Sequence, residues 1–196
     1  MSNETRITTA GLIGLAVGTV ALAWAGTTGR EGIALLLYAA LFVPYAATLA
    51  GLEGLEGARG LVVGGAALLL RGLLLPLDPL FSDDLYRYVW DGRVGLSGIN
   101  PFVHAPASEA LSHLRDPVIW ENVNHPEVPT IYPPGAQYLF ELNALLGGGV
   151  VGMKGLFLVV EAACVALCGW LIWRADDASI FGRAPVVMLA IYALNP

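Results

Sequence analysis

Long apolar runs alternate with short polar links along most of the chain. Three of these runs approach the roughly 17–25 residues that an α-helix needs to cross a bilayer. They cover residues 8–26, 33–51 and 61–77, and the third contains one charged residue, Arg71. An arginine is costly in lipid, so we expect Arg71 to face protein or water. The pattern predicts an N-terminal region, residues 1–78, of three membrane-spanning helices.

The pattern changes after the third run. Between residues 79 and 133 no apolar run is long enough to span, and proline, aspartate, histidine, asparagine and aromatic residues alternate. Residues 134–148 predict an amphipathic or short membrane-embedded helix, and residues 152–173 predict a further span. Residues 184–196 begin another apolar helix. Because nothing terminates that last segment, we expect the chain to be truncated, the N-terminal part of a longer protein.

The composition agrees with a membrane protein. Hydrophobic residues make up 56% of the chain and charged residues 13%, whereas soluble domains carry about 25% charged residues. Much of the surface must therefore face a lipid bilayer. The net charge of −6 offers no basic face for nucleic acid. The predicted fold class is an all-α integral membrane protein, a multi-span helical bundle with a large extracytoplasmic loop that contains short membrane-surface helices.

The lysines and arginines beside the spans indicate the orientation. If the N-terminus and the link that holds Arg174 and Arg183 are cytoplasmic, the loop 79–133 lies outside. This assignment requires that residues 134–148 do not cross the membrane fully, and Arg30 is one violation of it. We expect a multi-pass protein of the plasma membrane with an extracytoplasmic loop.

The densest group of charges lies at the start of the loop. Ser82 can cap a helix whose first turn contains Asp83 and Asp84, where carboxylates favour the positive end of the helix dipole. Side chains at i, i+3, i+4 and i+7 share one helix face, and here they are Asp84, Arg87, Tyr88 and Asp91. We expect Asp83 to pair with Arg87 at i+4. A narrower apolar face that can lie against the membrane contains Leu85, Val89 and Gly92.

Two carboxylates beside an arginine, where a span leaves the lipid, suit group transfer at the membrane surface. One carboxylate can accept a proton from an incoming hydroxyl, and we expect its pKa to be raised by the other charge and by low dielectric. Arginine can hold a phosphate bidentately. These residues describe transfer from a lipid-linked phosphate donor to a hydroxyl acceptor. The alternative is a solvated, salt-bridged amphipathic helix that anchors the loop.

Three motifs of the loop occur in an order that resembles a known family. They are SDDLYRYVWDGRV (82–94), GINPF (98–102) and NHPEVPTIYPP (124–134), and an apolar helix follows. This series resembles bacterial membrane glycosyltransferases of the glycosyltransferase C superfamily. It is similar to the polyprenyl-phosphomannose-dependent alpha-mannosyltransferases of actinobacteria. The resemblance covers roughly residues 76–196, and the first two spans match no family.

The resemblance implies an inverting mannosyltransferase with a polyprenyl-phosphate sugar as donor and a glycan or glycolipid as acceptor. Related enzymes carry Asp-x-Tyr at the end of a span, and Asp84-Leu85-Tyr86 matches it. Asp84 is therefore the first choice for the general base, and Asp83 the second. Arg87 and Arg93 are candidates for the donor phosphate. The full set of candidates for substrate binding is Arg87, Tyr88, Asp91, Arg93, Asn100, His125 and Tyr132.

No metal site is predicted, because His104, His113 and His125 do not have metal-ligand spacing. A divalent cation stays open as a cofactor, since carboxylates near a phosphate can hold Mg²⁺ with waters. A polyprenyl monophosphate does not demand one. Two other functions also stay open. One is a lipid-linked sugar transporter or flippase, for which Arg71 and Glu161 are the intramembrane polar residues, and the other is a noncatalytic membrane scaffold subunit.

Overall fold

The computed structural model describes residues 2–52, 59–174 and 185–196, and within these ranges the secondary structure is helical without β-strands. The all-α fold prediction is confirmed for this part of the chain. Its α-helices are α1 (Asn3–Thr27), α2 (Glu31–Ala40), α3 (Phe42–Leu52), α4 (Arg59–Gly72), α5 (Asp84–Leu96), α6 (Pro134–Leu145), α7 (Val150–Arg174) and α8 (Pro185–Ala193). Between α5 and α6 lie two short 3₁₀ helices, Glu109–Leu114 and Trp120–Asn122. Residues 175–184, the part of the polar link that contains Arg183 and the residue after it, lie outside the described residues.

Three helical segments of the described chain are long and apolar enough to cross a membrane. They are Asn3–Thr27, Glu31–Leu52 and Val150–Leu171. A fourth apolar helix, Val62–Gly72, is shorter than the span expected over residues 61–77. The chain turns before Pro76, whose ring disfavours helical backbone at the preceding residue. These helices support membrane association and a multi-span bundle.

The described chain forms two compact units, and the first comprises Met1–Leu75 and Leu158–Pro196. In this unit α1 packs against α3 at glycines. A Cβ on Gly51 would lie 2.6 Å from the backbone nitrogen of Thr8, so only glycine permits this approach. The segment Glu31–Leu52 is interrupted at Leu41, because Pro44 lacks the N–H that would bond to the carbonyl of Ala40, four residues before it.

Polar groups in the first unit pair with one another. Arg71 and Glu161 form an ion pair at 3.4 Å. Charged side chains within membrane segments commonly pair with one another in this way. The Arg71 Nη1 also donates to the carbonyl of Ala193 at 2.6 Å, and the Tyr192 hydroxyl donates to Glu161 Oε2 at 3.0 Å. The pair therefore joins α4, α7 and α8.

The second unit, Pro76–Phe157, contains the whole loop together with α5 and α6. Its buried apolar core comprises Val89, Trp90, Val94, Leu111, Ile119, Val123, Phe140 and Met153. The expectation that Leu85, Val89 and Gly92 lie against the membrane is wrong. Val89 is fully buried, Leu85 packs against the same core, and a Cβ on Gly92 would lie 2.5 Å from the carbonyl carbon of Phe140. This face of α5 meets α6, because protein side chains can bury it as well as lipid can.

Candidate active site

The two acidic residues of the predicted site lie at the start of α5. Asp83 is the N-cap residue and Asp84 is the first residue of the helix. The backbone N–H of Asp84 donates to the Ser82 hydroxyl at 3.2 Å. The helix therefore begins one residue later than expected, with Asp84 but not Asp83 in its first turn. Ser82 still accepts a hydrogen bond from an N–H at this helix end.

Asn124 joins the two carboxylates. Its Nδ2 donates to Asp83 Oδ1 at 2.7 Å and to Asp84 Oδ1 at 2.8 Å. An amide nitrogen carries two hydrogens, so one nitrogen can serve both acceptors. The sequence pattern did not predict a role for Asn124, although this residue opens the NHPEVPTIYPP motif. Its distance of 40 residues from Asp84 along the chain left no spacing rule that could connect them.

The environment of Asp84 lowers the pKa of its carboxyl group. The largest cause is the hydrogen bond from Asn124; partial burial acts in the opposite direction. Hydrogen bonds from Ser82 and Tyr132 and the positive charge of protonated His125 lower the pKa further. The expected raised pKa of the base is therefore wrong for Asp84, because donors outweigh desolvation. At neutral pH this carboxylate is ionised and can accept a proton.

Two predicted substrate-binding residues, Tyr88 and Tyr132, lie beside Asp84. Their rings meet edge to face with centroids 4.8 Å apart, and Phe140 stacks on Tyr88 at 4.7 Å. Burial raises the pKa of both phenols, and the charge of Asp84 adds to the shift. Both hydroxyls therefore stay protonated at neutral pH and can donate hydrogen bonds.

Arg87 forms an ion pair with Asp91. Its Nε donates to Asp91 Oδ1 at 2.9 Å, and the two side chains are 5% and 2% exposed. The Arg87 Nη1 and Nη2 donate to the carbonyls of His125 at 3.3 Å and Val128 at 2.7 Å. The expected pairing with Asp83 is therefore corrected. Asp83 precedes the helix, so the i+4 geometry of a helix does not apply to it.

His125 adopts backbone angles that are uncommon for any residue but glycine. Its φ of 44° lies in the left-handed region, and in the described chain it alone does so among residues other than glycine. Its exposed imidazole lies 3.8 Å from the carboxylate of Glu127. Arg87 donates to the carbonyl of His125, and the adjoining Asn124 donates to Asp83 and Asp84. Contacts of both residues therefore hold this turn.

Arg93 and Asn100 make their contacts elsewhere in the same unit. Arg93 forms an ion pair with Asp116, whose other oxygen accepts the backbone N–H of Val118 at 2.9 Å. Asn100 Oδ1 accepts the N–H of Phe102 at 2.9 Å, which stabilises a turn. Neither contact brings these predicted residues to Asp84.

The oxygen ligands that this site offers to a cation are the carboxylates of Asp83 and Asp84. Each already accepts a hydrogen bond from Asn124. Within residues 2–52, 59–174 and 185–196, no three histidine, cysteine or acidic side chains converge as a metal cluster. The arrangement is that of an ionised carboxylate with neighbouring hydroxyl donors, which suits proton acceptance.

Comparisons with known proteins point to one enzyme class. No family model matches the chain, and no solved structure matches it. An alpha-(1->6)-mannopyranosyltransferase of Mycobacterium tuberculosis is 30% identical over 133 residues, which cover 63% of this chain and 20% of that protein. The chain thus spans about a fifth of the length of this curated relative. The similarity supports a glycosyltransferase-type relationship.

Proposed function

We propose that this chain belongs to a membrane glycosyltransferase that moves mannose from a polyprenyl-phosphate donor to a hydroxyl group of a glycan or glycolipid acceptor. The observation that supports it most is the pair of carboxylates at the start of α5, Asp83 and Asp84, which both accept hydrogen bonds from Asn124. The similarity to a protein named as an alpha-mannopyranosyltransferase supports the sugar. Arginines in the flanks of the spans support an outer-face location for the loop.

In this proposal Asp84 is the general base. The acceptor hydroxyl gives its proton to the Asp84 carboxylate while its oxygen forms a bond to the anomeric carbon of the donor. The bond between that carbon and the phosphate oxygen breaks, and the polyprenyl phosphate leaves with the electron pair. Attack opposite the leaving group inverts the anomeric centre. A base that is ionised at neutral pH serves this step, since a protonated carboxyl group cannot accept the proton.

Neither predicted phosphate-binding arginine is assigned to the phosphate of a donor that reacts at Asp84. Arg93 has 33% of its side chain exposed but pairs with Asp116, and Arg87 is only 5% exposed. Arg87 positions the loop by holding the carbonyls of His125 and Val128. The phenols of Tyr88 and Tyr132 are assigned to hydroxyl groups of the sugars.

The proposal is tested with the Asp84→Asn variant of the full-length protein in lipid nanodiscs. Mannose transfer from polyprenyl-phosphate mannose should fall by about 10²–10⁴-fold, the typical contribution of a general base. Glu121→Gln is the matched control, because Glu121 is exposed on a 3₁₀ helix of the same unit. It should retain transfer. An Asp84→Asn variant that folds and transfers mannose at the original rate would refute the assignment.

A further inference from the structure

The two carboxylates at the start of α5 share one hydrogen-bond donor group. Both oxygens bonded by Asn124 belong to neighbouring residues, Asp83 and Asp84, at 2.7 and 2.8 Å. Adjacent carboxylates repel each other when both are ionised, and one of them then binds a proton more readily. An amide nitrogen between them offers a hydrogen to each and opposes that repulsion. Both hydrogens of the Asn124 amide are used in this way.

We propose that Asn124 is a positioning residue that holds Asp83 and Asp84 together and orients Asp84 for proton transfer from the acceptor hydroxyl. The inference rests on the proposed function. It assigns to Asn124 a role through Asp84 and not in direct contact with the reacting atoms. The hydrogen bond from Asn124 is also the largest cause of the lowered pKa of Asp84.

The position of Asn124 is itself held by contacts of the residue that follows it. The next residue, His125, has a left-handed backbone, and its carbonyl accepts a hydrogen bond from Arg87. Uncommon backbone angles persist where surrounding contacts over-determine them, and they cluster at functional sites. Arg87 is in turn oriented by buried Asp91, which accepts from Gln137 at 3.4 Å. This buried chain of hydrogen bonds connects α6 and α5 to the loop that presents Asn124.

Several polar and titratable groups surround Asp84 and influence its pKa. Asp83 precedes it, Tyr88 lies one turn further along α5, and His125 and Tyr132 face it from the loop. Protonated His125 and the Tyr132 hydroxyl lower the pKa of Asp84, as Asn124 does. Removal of the Asn124 amide should therefore raise the pKa of Asp84 without eliminating the contributions of Ser82, Tyr132 and His125.

The test compares Asn124→Leu and Asn124→Asp with the unchanged full-length protein in nanodiscs. Asn124→Leu removes both hydrogen bonds, and Asn124→Asp replaces the donor by a third carboxylate at nearly constant size. In both variants the acid limb of kcat/KM should move to higher pH. Activity should be lost about tenfold for each pH unit of that displacement on the limb and recover towards high pH. Asn122→Asp is the matched control, since Asn122 is exposed and bonds only a local carbonyl in its described contact, that of Val118.

A second readout follows Asp84 without relying on the transfer reaction. The infrared carboxyl band of Asp84 is assigned by its disappearance in Asp84→Asn, and its titration midpoint should rise in both Asn124 variants. An unchanged midpoint, or a loss of activity by the same factor at every pH, would overturn the role of Asn124. If Asp84→Asn abolishes transfer while Asn124→Leu keeps the original pH profile, the role of Asn124 fails and the proposed function stands. If Asp84→Asn leaves transfer intact, the proposed function fails first and the role of Asn124 in proton transfer fails with it.

Discussion

Arg87 and Asp91 form a buried ion pair one turn apart on α5, with Arg87 Nε donating to Asp91 Oδ1 at 2.9 Å. The same guanidinium donates to the carbonyls of His125 and Val128. A single side chain thus ties α5 to the loop that carries Asn124.

The first prediction concerns removal of one member of this pair. Asp91→Ala leaves a buried guanidinium without its carboxylate, which typically destabilises a protein by about 3–5 kcal/mol. Thermal unfolding of the full-length protein in nanodiscs should show a clearly lower midpoint. Glu121→Ala, an exposed acid, should leave the midpoint nearly unchanged. Equal midpoints for the two variants would contradict the structural importance of the pair.

The second prediction concerns the hydroxyl of Tyr132. Tyr132→Phe keeps the ring against Tyr88 and Phe140 but removes a donor that lowers the pKa of Asp84. A base whose pKa rises is protonated over a wider acidic range, so transfer should fall most at low pH and least at high pH. The measurement is kcat/KM against pH.

Tyr138→Phe is the control for that measurement, because Tyr138 is 72% exposed on α6. It should reproduce the original pH profile. The stability of Tyr132→Phe should change by no more than about 1.5 kcal/mol, the net value of one hydrogen bond. If both variants have the same profile, the Tyr132 hydroxyl does not influence Asp84.

The third prediction concerns the contact between α5 and α6. Gly92→Ala adds a Cβ that would lie 2.5 Å from the carbonyl carbon of Phe140 and would also meet its oxygen. Such backbone crowding should cost about 1–3 kcal/mol or more. Gly135→Ala points into open space on α6 and should stabilise by up to about 1 kcal/mol. Thermal unfolding midpoints should therefore rank Gly92→Ala below the unchanged protein, and a reversed order would contradict the packing.

The local features of α5 were predictable to a useful degree. A helix that starts near Ser82 was predicted from the capping residue and the carboxylates after it, and the placement of Arg87 and Asp91 on one face followed from helical periodicity. The partner of Arg87 was predicted wrongly, because Asp83 and Asp91 are both four residues away along the chain. Only the exact start of the helix distinguishes them, and helix ends are the least certain part of a sequence-based prediction.

The features of the site that could not be predicted depend on contacts between residues far apart in the sequence. Asn124 lies 40 positions after Asp84, beyond the reach of any periodicity argument. The direction of the pKa shift of Asp84 depends on that contact and on Tyr132, so the expectation based on a neighbouring charge and low dielectric had the opposite sign. Val89 was expected to face lipid because hydrophobicity by itself does not tell a membrane from a protein neighbour.

The sequence by itself determined the apolar helices, the polar loop between them and the set of residue types available for transfer chemistry. These properties follow from composition and from hydrogen bonds between residues a few positions apart. The tertiary structure decided that Arg87 pairs with Asp91, that Val89 is buried in the core of the second unit, and that Asn124 meets Asp83 and Asp84. The physical reason is that the protonation and orientation of a carboxylate depend on the atoms within hydrogen-bond distance, and here the path of a long loop brings those atoms together.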